Sequence, residues 1–123
     1  MARLIVDAED VAVRLTWREG LVARCREVRV PLADVQAVRV EPDWWRGLRG
    51  VRLTGRCRPG RFCLGERRHA FGRDFAAVRA GVPVVLVDLW RPEPYARLAV
   101  SVPDAEQVAE ELRRRAATSI REL

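Results

Sequence analysis

Along most of this chain apolar and polar residues alternate. Val11, Val13, Leu15 and Trp17 are separated by Ala12, Arg14 and Thr16, the period of two expected of a strand with one buried face. Val28 and Val30 flank Arg29 before Pro31 removes a backbone donor, which marks a short second strand. Val38 and Val40 flank Arg39 in a third, ending at Pro42. Between the first two, Gly20 turns the chain. The stretch EGLVARC then fits a helical turn with Leu21, Val22 and Cys25 together, or a strand with Leu21, Ala23 and Cys25 together. Period alone leaves both open.

The alternation returns after residue 61. RFCLGE sets Phe62 and Leu64 on one face and Cys63 on the other, and GRDFAAVR turns Phe75 and Ala77 inward. VPVVLVDLW is apolar on both faces, the mark of a central strand or one covered by a helix. RPEPY breaks it, and ARLAVSV alternates Leu98, Val100 and Val102, so these two segments are expected to form a hairpin. Beyond Pro103 the period changes to that of a helix. Asp104 is a suitable N-cap, Gln107 stands where a capping box would place it, and Ala105, Val108, Ala109, Leu112 and Ala116 form one apolar stripe. The segment between, EPDWWRGLRGVRLTGRCRPG, carries glycines at 47, 50, 55 and 60 and prolines at 42 and 59. It reads as a long connection with one brief extended piece at residues 51–53.

Six or seven short antiparallel strands followed by an amphipathic helix predict a mainly β fold, a partly open barrel capped by the C-terminal helix. At 123 residues one domain is expected: a lead-in over 1–10, the domain over 11–117 with its helix over about 104–117, and a tail over 118–123. The apolar run Leu4–Val6 is stopped by Asp7, too short for a signal-peptide core or a membrane span, so a cytoplasmic protein is expected, at most peripheral to a membrane. Three cysteines, an odd number without a secretory signal, predict reduced thiols and no disulfide.

Charge changes this picture in one place. The formal charge is +6, and all 23 basic residues are arginine, a bias that with abundant Ala, Val and Gly suggests high-GC coding. Residues 44–73 hold nine arginines against the single acid Glu66, a local balance of +8 that leaves −2 for the rest. Such a concentrated field attracts anions where the same charge spread evenly would not.

Within that segment RCRPGRFCLGERRH brings two cysteines and the only histidine together. Cys57, Cys63 and His69 lack the fourth ligand and the close pairing of a structural zinc site, and arginines surround them, so no metal is expected. His69 with Cys63 and Asp74 supplies no specific triad spacing, and His69 reads as a solvated turn residue. The glycines lack a Gly-Lys-Ser/Thr ending, so no phosphate loop, no cofactor and no enzyme are expected.

The runs VRVPLADV, LRGVRLTGRCRPGRFCLG, GRDFAAVR, VVLVDL and YARLAVSVPDAEQVAEEL together resemble the bacterial pleckstrin-homology-like (PH-like) domain proteins of high-GC bacteria, from about Val11 to Arg115. The resemblance implies seven strands in a partly open barrel closed by a C-terminal helix, usually without an assigned activity. Such relatives tend to have a Pro-Gly pair twice around the central loop; here the first is Thr54-Gly55 and only Pro59-Gly60 is intact.

Two functions follow as expectations. One is a non-enzymatic interaction module, pairing with another protein or with itself, anchored by exposed tryptophans such as Trp44, Trp45 and Trp90. The alternative is an anionic ligand, an acidic lipid headgroup or nucleic acid, held by Arg46, Arg49, Arg52, Arg56, Arg58 and Arg61 beside Trp44 and Trp45.

Overall fold

The structure, a computed structural model, describes residues 1–122, with side chains to Thr118. Strands β1 (Arg3–Val6), β2 (Asp10–Arg14) and β3 (Glu27–Pro31) form a three-stranded antiparallel sheet. The larger sheet runs β4 (Val35–Glu41), β9 (Val84–Leu89), β10 (Arg97–Ser101), β8 (Gly72–Arg79), β7 (Phe62–His69), with β5 (Val51–Arg52) and β6 (Arg56–Arg58) both on the outer side of β7. Helix α1 (Trp17–Ala23) joins β2 to β3, and α2 (Ala105–Glu122) ends the chain. The mainly β fold with a C-terminal helix is therefore present, as two sheets without a closed barrel.

Several elements differ from the sequence expectation. The first ten residues are not a lead-in, because β1 pairs with β2 from Arg3↔Arg14 to Val6↔Val11. The turn between them is made by Asp7, whose Oδ1 accepts the amides of Glu9 (3.0 Å) and Asp10 (2.8 Å), while Arg29 reaches Oδ2 at 2.8 Å. These bonds hold the Asp7 carboxyl at about 2, the two backbone amides first and Arg29 after them. A depressed folded pKa gives stability that is present above the unfolded value near 4 and lost as pH falls through about 2. A carboxyl NMR titration is expected to show that midpoint for Asp7, and an ordinary midpoint would contradict the turn.

Trp17 does not continue the first strand inward. Thr16 caps α1, its hydroxyl accepting from Glu19 N while Glu19 accepts from Thr16 N, and this reciprocal pair starts a helix that leaves Trp17 68% exposed. The ambiguous EGLVARC segment is thus helical up to Ala23, and Arg24 closes it at φ 59°. The sheet is not wholly antiparallel either: β10 lies between β9 and β8, antiparallel to the first and parallel to the second. A hairpin partner on one side forces that direction on the other.

The core fills both faces of β9, as its two apolar faces required. Val85, Val87 and Leu89 join Phe75, Leu98 and Val100 under α2, whose Ala105, Ala109, Leu112 and Ala116 stripe is buried against them. Burying Leu112 in full contributes about 2 kcal/mol. Asp104 acts as the N-cap backbone, accepting Val108 N at 3.1 Å, and the helix runs past the expected end at 117 to Glu122. On the opposite face Val84, Leu86, Cys63, Ala76, Val78 and Ala99 are covered by Trp44 and Leu48 of the 42–50 loop. Gly47 lies so close to Leu86 that a Cβ would collide with its side chain, and Arg97 donates to the Gly47 carbonyl at 3.1 Å. The loop is a lid on the sheet.

Candidate functional site

The brief extended piece expected at residues 51–53 is present as β5, and Arg56–Arg58, read from sequence as part of a crossing loop, is the strand β6. β6 pairs with β7 as Arg56↔Leu64, Cys57↔Cys63 and Arg58↔Phe62. A β-turn joins them, Arg61 N donating to Arg58 O at 2.9 Å with Gly60 at φ 77°. Because side chains alternate, Arg56 and Arg58 share the face of Leu64 and Phe62, the one on which α1 packs. On β7, Arg68 lies on that face too, opposite Val51. The opposite face takes Cys57, Cys63, Arg67 and Arg52.

The eight residues read from the sequence as one anion site are therefore divided. Trp44 is half-buried as part of the lid and packs there, whereas Trp45 is 57% exposed with Arg46 stacked 5.6 Å from its ring centre. Arg46 also pairs with Asp43 at 3.1 Å, and Arg52 donates to the Gly55 carbonyl at 3.1 Å. Arg49 is committed: its Nε and Nη2 each reach one oxygen of Asp74 at 2.8 Å, a bidentate fork that raises its guanidinium pKa further. What remains are Arg56, Arg58 and Arg61, joined by Arg68, which the candidate set omitted. All four are exposed and, among the described residues, none has a carboxylate partner. From Phe62 to Arg68 the strand advances about 20 Å, so they form a stripe along the sheet edge with Arg61 at its turn.

His69 is not a solvated turn residue. It ends β7 with its side chain 7% exposed, Nε2 at 2.8 Å from Asp74 Oδ1 and Nδ1 accepting Phe71 N at 3.1 Å. The backbone donor makes Nδ1 the acceptor, so Nε2 carries the proton and donates to Asp74. Both ring nitrogens are occupied by the protein. Asp74, 3% exposed, is thus the hub of Arg49 and His69. A second hub is Glu66, which takes Thr54 Oγ1 (3.2 Å), Tyr95 OH (2.8 Å) and Arg73 (3.4 Å). Burial and then Glu66 push the Tyr95 phenol upward, and burial and then Glu66 do the same to the Cys25 thiol.

The expectation of three reduced cysteines is corrected. Cys57 and Cys63 are joined as a disulfide and Cys25 alone is free. The sequence signal was present in the equal spacing of the two cysteines about Gly60, which puts them opposite each other once residues 59–60 turn. Among the described residues no three His, Cys, Asp or Glu side chains gather as a metal would need, and no helix is long and apolar enough to cross a membrane. Comparison with protein-family models, with curated proteins and with solved structures finds no significant match.

Proposed function

We propose that this chain is a non-enzymatic interaction module of PH-like type that meets an anionic partner along the outer edge of its larger sheet. The observation that carries the reading is the row of exposed arginines, Arg56, Arg58, Arg61 and Arg68, none of which has a carboxylate partner among the described residues, the nearby Glu66 being taken by Arg73. Three other arginines show the contrast: Arg29 has three acids, Arg49 has Asp74 and Arg97 has Asp88 at 2.6 Å. Four guanidinia without acid partners gathered along one stretch of the sheet make a concentrated positive field, which draws anions. The short, bulged strands of this edge oppose strand addition, so the side chains, not the backbone, are the contact. The two sheets and the C-terminal helix support the PH-like likeness; the parallel β8–β10 pair departs from an all-antiparallel barrel.

Binding to anionic vesicles, to a single-stranded oligonucleotide and to an oligoglutamate peptide, each at low salt, tests the proposal. At least one probe is expected to bind and to be lost when Arg56, Arg58, Arg61 and Arg68 become Gln. For the oligonucleotide, four phosphate contacts give a slope of about −3 in log K against log salt. No binding by any probe sinks the proposal. A second reading, association through exposed aromatics, is supported by Trp45 and Trp90, the latter 64% exposed. It predicts a dimer by light scattering that survives the four arginine changes and dissociates in Trp45→Ala or Trp90→Ala.

A further inference from the structure

We propose that Cys57, Cys63 and Arg67 form a thiol–disulfide exchange site, with the Cys57 sulfur as its point of attack and a small dithiol as its co-reactant. The argument stands apart from the anion-binding reading. Register alone brings the two cysteines face to face across the β6–β7 hairpin. Arg67, four residues after Cys63 and on the same face of β7, sets its Nη1 3.5 Å from the Cys57 sulfur and 3.4 Å from that of Cys63. The guanidinium is fixed there by the loop: Nε donates to Arg49 O at 3.1 Å and Nη2 to Gly50 O at 2.8 Å. A cation clamped over two sulfurs favours thiolate over thiol, the condition that makes a cysteine both a good leaving group and a nucleophile near neutral pH.

Access is unequal. Cys63 is buried at 2% exposure, whereas Cys57 is half-buried and both line a groove of about 420 Å³ between Trp45, Leu48 and the Arg58–Gly60 turn. A dithiol entering this groove meets Cys57. One of its thiolates attacks the Cys57 sulfur, the Cys57–Cys63 bond breaks, and Cys63 leaves as a thiolate beside Arg67. The second thiol of the reductant then displaces Cys57, and the reductant departs as its own cyclic disulfide. Two electrons pass to the protein sulfurs, and the two reductant protons go to solvent or to the new thiolates. The reverse sequence, with a disulfide as oxidant, closes the hairpin again.

The test uses the full chain carrying Cys25→Ala, so that only the pair reports. Free-thiol titration and intact mass are expected to show no free thiol after air or diamide oxidation and two after dithiothreitol. In the reduced protein iodoacetamide is expected to label Cys57 before Cys63, with a pH midpoint below the ordinary thiol value of about 8.5. Arg67→Gln is expected to raise that midpoint and slow labelling at pH 7 by fivefold or more, and Arg67→Lys, which keeps the charge, to recover part of the rate. Two thiols that persist after the oxidant would overturn the site. So would a wild-type midpoint at or above the ordinary value, a readout that holds even if the Arg67 variants fail to fold, or a pH profile unchanged by Arg67→Gln.

Discussion

Asp74→Ala is expected to lower the free energy of unfolding by about 3 kcal/mol, toward the lower end of the range for breaking a buried ion pair from one side. Its carboxylate is nearly sealed from solvent and takes both prongs of Arg49 and the Nε2 proton of His69. Removing it strands a buried imidazole donor and a guanidinium together. Arg49 is still 32% exposed, so water recovers part of its solvation, which is why the effect sits near 3 kcal/mol and not 5. Urea denaturation is expected to show a lower midpoint at an unchanged slope. Arg46→Gln is the control, since its pair with Asp43 has both partners at least half exposed and is worth under about 1 kcal/mol. If the two variants lost the same amount, the Asp74 hub would be no more than a surface ion pair.

That hub also explains why the candidate site was only half legible in the sequence. The density of arginine over 44–73 was visible, but not which arginines would find an acid. Arg49 and Asp74 are 25 residues apart, and only the pairing of β7 with β8, which sets Arg67 opposite Asp74, brings that carboxylate to the outer face under the loop. Arg68 is not singled out by the sequence because its neighbour His69 reads as a turn residue, whereas β7 continues to His69 and carries Arg68 to the same face as Arg56 and Arg58. The elements that were legible are those with a clear period: Asp10–Arg14, Glu27–Pro31, the Val38–Val40 part of β4, the start of β7, Gly72–Arg79, Val84–Leu89, Arg97–Ser101 and the start and stripe of α2. Those that were not depend on something local. α1 is decided by the reciprocal Thr16–Glu19 bonds, which override an alternation that ran on through Trp17. β1 is four residues followed by an Asp7 turn, and nothing in it outweighs its likeness to a lead-in.

The bulge that joins β5 to β6 depends on one glycine contact, and Gly55→Ala is expected to undo it. β5 and β6 both pair with β7, but Thr54 and Gly55 between them bulge, with Leu53 N and Thr54 N both donating to Glu66 O at 2.8 and 3.2 Å. Gly55 takes φ 79° and lies directly against Gly65, itself at φ 129°; a Cβ on Gly55 would occupy the space of the Leu64 carbonyl oxygen. The atoms it would meet are all backbone of Leu64 and Gly65, which cannot yield as a side chain would. Positive φ and the collision together are expected to cost about 3 kcal/mol or more. The relief available is local, so β5 and the 53–56 bulge should lift from β7 before the core opens, while the Cys57–Cys63 disulfide keeps the rest of β6 tethered. Amide exchange is expected to quicken over residues 51–56 and 64–68 while α2 and β9 keep their protection. Gly60→Ala separates the two causes: φ is 77° there, yet nothing lies within 4 Å of the added carbon, so it should lose only about 1 kcal/mol. Equal losses at Gly55 and Gly60 would mean that conformation alone sets the cost. In that event the close approach of Gly55 to Gly65 would not be what seats the 53–56 bulge on β7.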